Sequence, residues 1–156
     1  MSTFVEAMRQ HEEEFIEVRR DIHQHPELPF DEHRTSDLVA ERLQAWGYHV
    51  ERGLGGTGLV GQLRRGNGKR TLGLRADMDA LPINEATGLD YASRNQGVMH
   101  ACGHDGHTAM LLAAAKALAE PGKFSGTLNL IFQPAEEYGT DDSGAVRMMN
   151  DGLFEK

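Results

Sequence analysis

Apolar side chains recur at helical spacing in four parts of the chain, which predicts four helices. The first runs from a capping residue, Ser2 or Thr3, to about His23, with apolar positions at 4, 8, 15, 16, 18 and 22. Pro26 and Pro29 end it, because proline cannot continue a helix. The other predicted helices cover residues 32–46, 108–120 and 145–150, and the third of the four is rich in alanine and leucine.

Short apolar runs bounded by turn residues predict strands at residues 48–51, 58–64, 71–76 and 128–132. The turn-forming segment 65–69 (RGNGK) predicts that the second and third strands pair as a hairpin. The polar segment 84–98 predicts a loop. Because strands are mixed with helices, the sequence favours an α/β layer structure, in which ligand sites lie beyond the carboxyl ends of the strands.

Composition and charge narrow the class of protein. The 156 residues suffice for one ordinary domain, and a hydrophobic share of 39% is typical of a globular chain. Asp and Glu outnumber Lys and Arg by 24 to 16, and this acidic balance argues against a nucleic-acid partner. No apolar run approaches the roughly 20 residues of a membrane span, and the N-terminus lacks the apolar core of a secretory signal. We therefore expect a cytoplasmic protein with no membrane partner.

The densest group of reactive side chains lies in residues 100–107 (HACGHDGH), which also contain the only Cys of the sequence. His100, Cys102 and His104 follow one another at intervals of two, and in an extended segment this spacing places them on one face. Thiolate and imidazole groups that converge on one point are typical ligands of zinc or a similar divalent ion. A His-rich loop without a ligand is the alternative, but the concentration of soft donors favours the metal.

Two pairs of carboxylates follow predicted strands. Asp77 and Asp79 are two residues apart, so a strand end would point both the same way. Glu136 and Glu137 are adjacent, so their side chains diverge, and one can bind a metal ion while the other accepts a proton from water. Solvated acids in turns are the alternative for both pairs.

Cys102 has a second interpretation, as a nucleophile activated by a histidine. Thiol hydrolases bring Cys and His together from distant parts of the chain, and a thiolate engaged by metal ions is a weak nucleophile, so the sequence favours a ligand. His107 is expected to support the start of a helix and not to bind metal. His23 is expected either to line a substrate path or to cap a helix end.

Four motifs, in this order, resemble one enzyme family: HQHPEL at 23–28, LRADMDALP at 74–82, HACGHDGH at 100–107 and FQPAEE at 132–137. Together they are similar to the amidohydrolase branch of the aminoacylase and carboxypeptidase-like metallopeptidases, which includes hippurate hydrolases, N-acyl-amino-acid amidohydrolases and auxin-conjugate hydrolases. The resemblance runs from about residue 12 to the end of the chain. It implies an α/β fold with helices around a mixed sheet. The chain would then form the N-terminal part of a layered, zinc-exopeptidase-like catalytic domain.

The resemblance also implies the roles of individual residues. Two divalent ions, zinc or manganese, would be bridged by Cys102 and bound by His104 and Glu137. Glu136 corresponds to the general base, and Asp79 to the acid that orients a ligand. The implied reaction is hydrolysis of the amide bond of a small-molecule N-acyl amino acid.

Members of this family are much longer, so residues 1–156 are expected to be the N-terminal part of the catalytic domain. A lid domain and further histidine ligands are expected beyond Lys156, and without them the chain alone should bind metal weakly and be inactive. In sister branches a histidine ligand stands where Asp77 is, and His104 replaces it here, so Asp77 is not expected to bind metal. The alternatives are a truncated, non-catalytic metal-binding product, or a dipeptidase or deacylase of the same family. Whether the intact protein is a homo-oligomer stays open.

Overall fold

The helices form close to the predicted positions in this computed structural model, which describes residues 4–139 and 141–155. The predicted capping residues Ser2 and Thr3 lie outside the described residues. Two helices replace the first predicted one, because the chain turns at residues 10–11. In chain order the helices are α1 (Phe4–Arg9), α2 (Glu12–Gln24), α3 (His33–Ala45), α4 (His104–Ala119) and α5 (Gly144–Asn150), and the short 3-10 helix Leu153–Glu155 follows α5.

Helix α4 begins at His104 and not at Thr108, so the second half of the His-rich stretch is helical. Gly103 precedes it with a φ of 92°, a left-handed conformation that glycine adopts without steric cost. The chain therefore turns sharply between Cys102 and the first helical residue, and the stretch is not extended throughout as predicted.

Within the described residues, four strands form one mixed sheet: β1 (His49–Leu54), β2 (Gly58–Arg65), β3 (Thr71–Asp77) and β4 (Gly126–Gln133). Their order in the sheet is β1-β2-β4-β3, with β4 antiparallel to β2 and parallel to β3. The predicted hairpin of β2 and β3 is therefore wrong, since β4 lies between them. The burial of β4 gives the reason: Leu128, Leu130 and Phe132 are fully covered, whereas β3 starts with exposed residues that suit a sheet edge.

Helices α3 and α4 pack against the sheet, and α2 packs against α4. The largest fully buried apolar side chains in this core are Ile22, Leu43, Leu59, Met78, Leu112, Leu130 and Phe132. The connection from β3 to α4 crosses the end of the sheet and is held by main-chain hydrogen bonds, including a bridge between Leu81 and Met99. Over the described part of the chain, no helix has the length and apolar character needed to cross a membrane.

Candidate metal centre

The predicted site residues meet at one edge of the sheet. Strands β3 and β4 are parallel, and Asp77 at the end of β3 pairs with Gln133 at the end of β4. The segments that follow these strands therefore leave the sheet side by side, one carrying Asp79 and the other Glu136 and Glu137. The loop before α4 reaches the same edge with Cys102, and the first residue of α4 adds His104.

Cys102, His104 and Glu137 form a compact donor group. One donor atom from each, a thiol sulfur, a ring nitrogen and a carboxylate oxygen, lies within 4.8 Å of the other two. The structure thus brings together the three side chains that the sequence analysis named as ligands. Sulfur, imidazole and carboxylate donors in one cluster fit a borderline-soft divalent ion such as zinc, and this donor set carries the assignment of a metal centre.

The imidazole of His104 is oriented by Asp79. Its Nδ1 atom lies 2.9 Å from the main-chain oxygen of Asp79 and 3.3 Å from Oδ1 of the same residue, so Nδ1 carries the proton. The Nε2 atom then faces Glu136 and Glu137, 3.8 Å from a carboxylate oxygen of each. Burial opposes protonation of His104, but the carboxylates of Asp79 and Asp77 outweigh it and raise its pKa. Such orientation of a ligand by a neighbouring acid is common in metal sites.

Asp79 also holds the backbone of both glutamates. Its buried carboxylate accepts hydrogen bonds from the Glu136 N–H (3.0 Å, at Oδ1) and from the Glu137 N–H (2.9 Å, at Oδ2). Burial alone would raise the pKa of Asp79, but the hydrogen bonds from His104 and from these two amides outweigh it and lower the pKa. Asp79 is therefore ionised at neutral pH, and its contacts make it an orienting group between the ligand loop and the glutamate pair.

Cys102 lies in a cluster of acids that opposes loss of its proton. A hydrogen bond with Glu137, partial burial and the charges of Glu137, Glu136 and Asp77 raise the pKa of Cys102 to about 11. Reactive thiols have the opposite environment, with cations that lower the pKa. The geometry thus counts against a nucleophilic Cys102. A divalent ion would supply the positive charge that a thiolate needs at this position.

Asp77 and His107 form a second polar pair beside the donor group. Asp77 Oδ1 lies 2.7 Å from Nδ1 of His107 and 3.6 Å from Nε2 of His104, and Oδ2 lies 3.0 Å from Nη1 of Arg75. Donor atoms of Asp77, His104 and His107 also lie within 4.8 Å of one another. His104 belongs to both groups. Its Nε2 atom has one lone pair and can therefore bind a metal ion in only one of them. Asp77 already contacts Arg75 and His107, so it is placed to orient side chains beside the donor group.

His104 and His107 are three residues apart on a helix, and this spacing was the sequence signal for their proximity.

His100 is not part of the centre, although its spacing predicted a common face with Cys102 and His104. It is buried, neither ring nitrogen has a hydrogen-bond partner within the described residues, and burial lowers its pKa to about 4. The equal spacing gives a common face only in an extended chain, and the chain is helical from His104 onward.

Asp105 is a buried residue of the same stretch that sequence reasoning did not single out. Its Oδ2 atom lies 2.7 Å from Nε of Arg19 and 2.7 Å from Nδ1 of His23. The other ring nitrogen of His23 lies 3.2 Å from Glu85. His23 therefore neither caps a helix end nor lines an open path. It belongs to a buried network that fastens α2 to the start of α4.

Comparisons with known proteins point to one family. The sequence profile of peptidase family M20/M25/M40 matches residues 73–156. A hippurate hydrolase of Campylobacter jejuni is 56% identical over 143 residues, which are 92% of this chain and 36% of that protein. Thermostable carboxypeptidase 1 of Saccharolobus solfataricus is 51% identical over 149 residues, 94% of this chain and 38% of that protein. The chain thus spans little more than a third of the length of these relatives.

A solved structure shows the same fold. The crystal structure of the YXEP protein of Bacillus subtilis, described as a dinuclear metal binding peptidase from the M20 family, superposes with a TM-score of 0.85 at 36% identity. The match covers 93% of this chain and 40% of that one.

Proposed function

Because the chain belongs to peptidase family M20/M25/M40, we propose that it is the N-terminal part of the catalytic domain of a two-metal amidohydrolase. The reaction we assign to the full-length protein is hydrolysis of the amide bond of an N-acyl amino acid. The observation that carries this proposal is the cluster of Cys102, His104 and Glu137. The Glu136 carboxylate lies beside it, 3.8 Å from Nε2 of His104. A donor set with a spare carboxylate beside it is what metal-assisted hydrolysis requires.

The metal ions are assigned as zinc or manganese. Cys102, His104 and Glu137 would hold them, together with ligands from the part of the full-length protein beyond Lys156. Bound divalent ions lower the pKa of water and polarise a carbonyl group, which is the chemistry they would contribute at this site. The relative described as a dinuclear metal binding peptidase supports two ions in preference to one.

The proton transfers are assigned to Glu136. Its side chain is 40% exposed, so water and substrate can reach it. The carboxylate accepts a proton from the attacking water, the water oxygen bonds to the amide carbon, and Glu136 gives a proton to the nitrogen as the C–N bond breaks. The products are a carboxylic acid and a free amino acid. Asp79 keeps Glu136 in place through the main chain and takes no part in the proton transfer.

A peptide is the second candidate substrate, because the chain is also 51% identical to a thermostable carboxypeptidase. Both substrates contain an amide next to a carboxylate, and the residues described here act on the amide that they share. The cytoplasmic location stays a prediction of the sequence.

A substrate panel tests the proposal. The full-length protein, loaded with zinc or manganese, should release benzoate from N-benzoylglycine or acetate from N-acetyl amino acids. A chelator should abolish the activity, and added metal should restore it. Hydrolysis confined to peptides would support the second candidate. A metal-loaded protein that cleaves none of these substrates would support the non-catalytic alternative.

A further inference from the structure

Two buried carboxylates hold three consecutive amide groups in the segment that carries the glutamate pair. Asp79 accepts the N–H groups of Glu136 and Glu137, and the preceding N–H, that of Ala135, donates to Oε1 of Glu32 at 2.7 Å. Glu32 lies 103 positions earlier in the chain, at the start of α3. The turn is therefore held from two sides by residues of two different elements.

Glu32 has no exposed surface, and its side chain does not cap its own helix. The Oε2 atom accepts a hydrogen bond from the hydroxyl of Thr57. Burial raises the pKa of Glu32, while the hydrogen bonds from Thr57 and from the Ala135 amide act in the opposite direction. Burial of a carboxyl group costs free energy unless its hydrogen bonds are made. The hydrogen bonds to Ala135 and Thr57 therefore offset the cost of burying Glu32.

Ala135 has the backbone conformation that such a contact can maintain. Its φ is 47°, in the left-handed region that residues with a Cβ atom seldom adopt, and it is fully buried. On its other side, the Gly144 N–H donates to the Ala135 carbonyl at 3.2 Å. A Cβ atom at Gly144 would lie 1.7 Å from the Pro134 carbonyl oxygen, so this close approach requires glycine.

We propose that Glu32 is a positioning residue for hydrolysis, because its hydrogen bond holds Ala135 in the left-handed conformation that directs Glu136 and Glu137 to the metal centre. The inference rests on the function proposed above for that centre. Without the carboxylate, the buried Ala135 N–H loses its acceptor and the residue can relax to negative φ. The two amides that follow would then leave Asp79, and both glutamate side chains would change direction.

The test is a set of variants in the full-length, metal-loaded enzyme. Glu32→Ala should lower kcat by about 10- to 100-fold, the effect of a small misplacement of reacting groups, while KM changes by no more than about twofold. Glu32→Gln should stay within about threefold of the parent, because the amide oxygen still accepts from Ala135 and the Thr57 hydroxyl can turn to accept from the new NH₂ group. Should Glu32→Ala not fold, Glu32→Asp replaces it, since its shorter side chain cannot span both partners.

Two further variants separate positioning from loss of fold. Thr57→Val removes the hydrogen bond between Glu32 and the Thr57 hydroxyl but leaves the one to Ala135, so it should keep kcat within about threefold of the parent. Ala135→Gly makes the left-handed conformation favourable in itself, so in the Glu32→Ala background it should recover about threefold or more of the lost kcat. A purely structural role of Glu32 predicts no such recovery.

Crystal structures of the parent and of Glu32→Ala give a readout that does not depend on activity. We expect Ala135 at negative φ in the variant, with the Glu136 and Glu137 amides out of hydrogen-bond distance of Asp79. Unchanged geometry, or a kcat per metal-loaded site equal to that of the parent, would overturn the proposal. If the parent itself hydrolyses no amide substrate, the proposed function fails, and the structures still decide whether Glu32 holds the turn.

Discussion

The Nδ1 atom of His104 lies 2.9 Å from the main-chain oxygen of Asp79, while the Asp79 carboxylate accepts the amide groups of Glu136 and Glu137. One residue just after β3 thus sets the direction of an imidazole from α4 and of two carboxylates that follow β4. The metal donors and the spare carboxylate depend on the same anchor. Changes at Asp79 should therefore affect metal binding and turnover together.

Asp79→Asn tests this shared anchor. Asparagine has one acceptor oxygen, so its NH₂ group would face the amide N–H of Glu136 or Glu137 and could not replace that hydrogen bond. In the full-length enzyme we expect metal affinity and kcat both to fall, each by about 10- to 100-fold, as is usual for outer partners of metal ligands. Metal titration and initial rates measure the two effects. Asp90→Asn, in an exposed part of the β3–α4 connection, is the matched control and should change neither.

Glu136 and Glu137 should respond differently to the same substitution. Glu136→Gln keeps the shape of the side chain but cannot accept a proton, so turnover should fall by roughly 10²- to 10⁴-fold while metal content stays near that of the parent. Glu137→Gln should lower metal content first, with activity following. Metal analysis and amide-hydrolysis rates on the two purified variants make the comparison. Loss of metal in Glu136→Gln but not in Glu137→Gln would reverse the two roles.

Cys102→Ser separates a ligand from a nucleophile. If the thiolate bridges two ions, the serine variant of the full-length enzyme should lose bound metal as well as activity, because an alcohol is a poorer ligand than a thiolate. The measurement is metal content per protein after gel filtration. Full metal content with no turnover would support the nucleophile instead.

The pH dependence of Cys102 alkylation checks its acidic surroundings in metal-free protein. With a pKa of about 11 against an ordinary 9.0, the thiolate fraction at pH 7 is lower than that of an ordinary thiol. Allowing for the greater reactivity of a more basic thiolate, iodoacetamide should react roughly tenfold more slowly than with a free thiol at this pH. The rate should rise with pH until about pH 11. A plateau near pH 8 would show that the neighbouring carboxylates do not act on the thiol.

Asp105 should contribute to stability more than an exposed acid does. Asp105→Ala leaves the buried His23 and the partly exposed Arg19 without their shared carboxylate, and a buried polar group that loses its hydrogen-bond partner costs about 1–3 kcal/mol. Asp37→Ala, which removes the exposed ion pair with Arg52, should cost about 0–1 kcal/mol and is the control. Urea unfolding followed by the fluorescence of Trp46, the single tryptophan of the 156 residues, measures both. Similar costs for the two variants would contradict the structural role of Asp105.

The pattern along the chain determined the features that depend on neighbouring residues. Apolar spacing and prolines located helices α2 and α3, and apolar runs located all four strands within a few residues. The spacing within residues 100–107 indicated a metal site in general, and the resemblance to a known family implied Cys102, His104 and Glu137 as its ligands. Two local predictions failed within residues 100–107. Helix α4 begins at His104, directly after the left-handed Gly103, and His100 does not join the donor group.

Only the tertiary structure decided which distant segments meet. The turn between β2 and β3 predicted a hairpin, but β4 lies between them, with Leu128, Leu130 and Phe132 buried in the core. The contacts of Asp105 with Arg19, and of Glu32 with Ala135, join positions 86 and 103 residues apart, and no periodicity signals such pairs. The physical reason is that local torsions and side-chain spacing act within a few residues, whereas burial and hydrogen-bond satisfaction are decided over the whole packed chain.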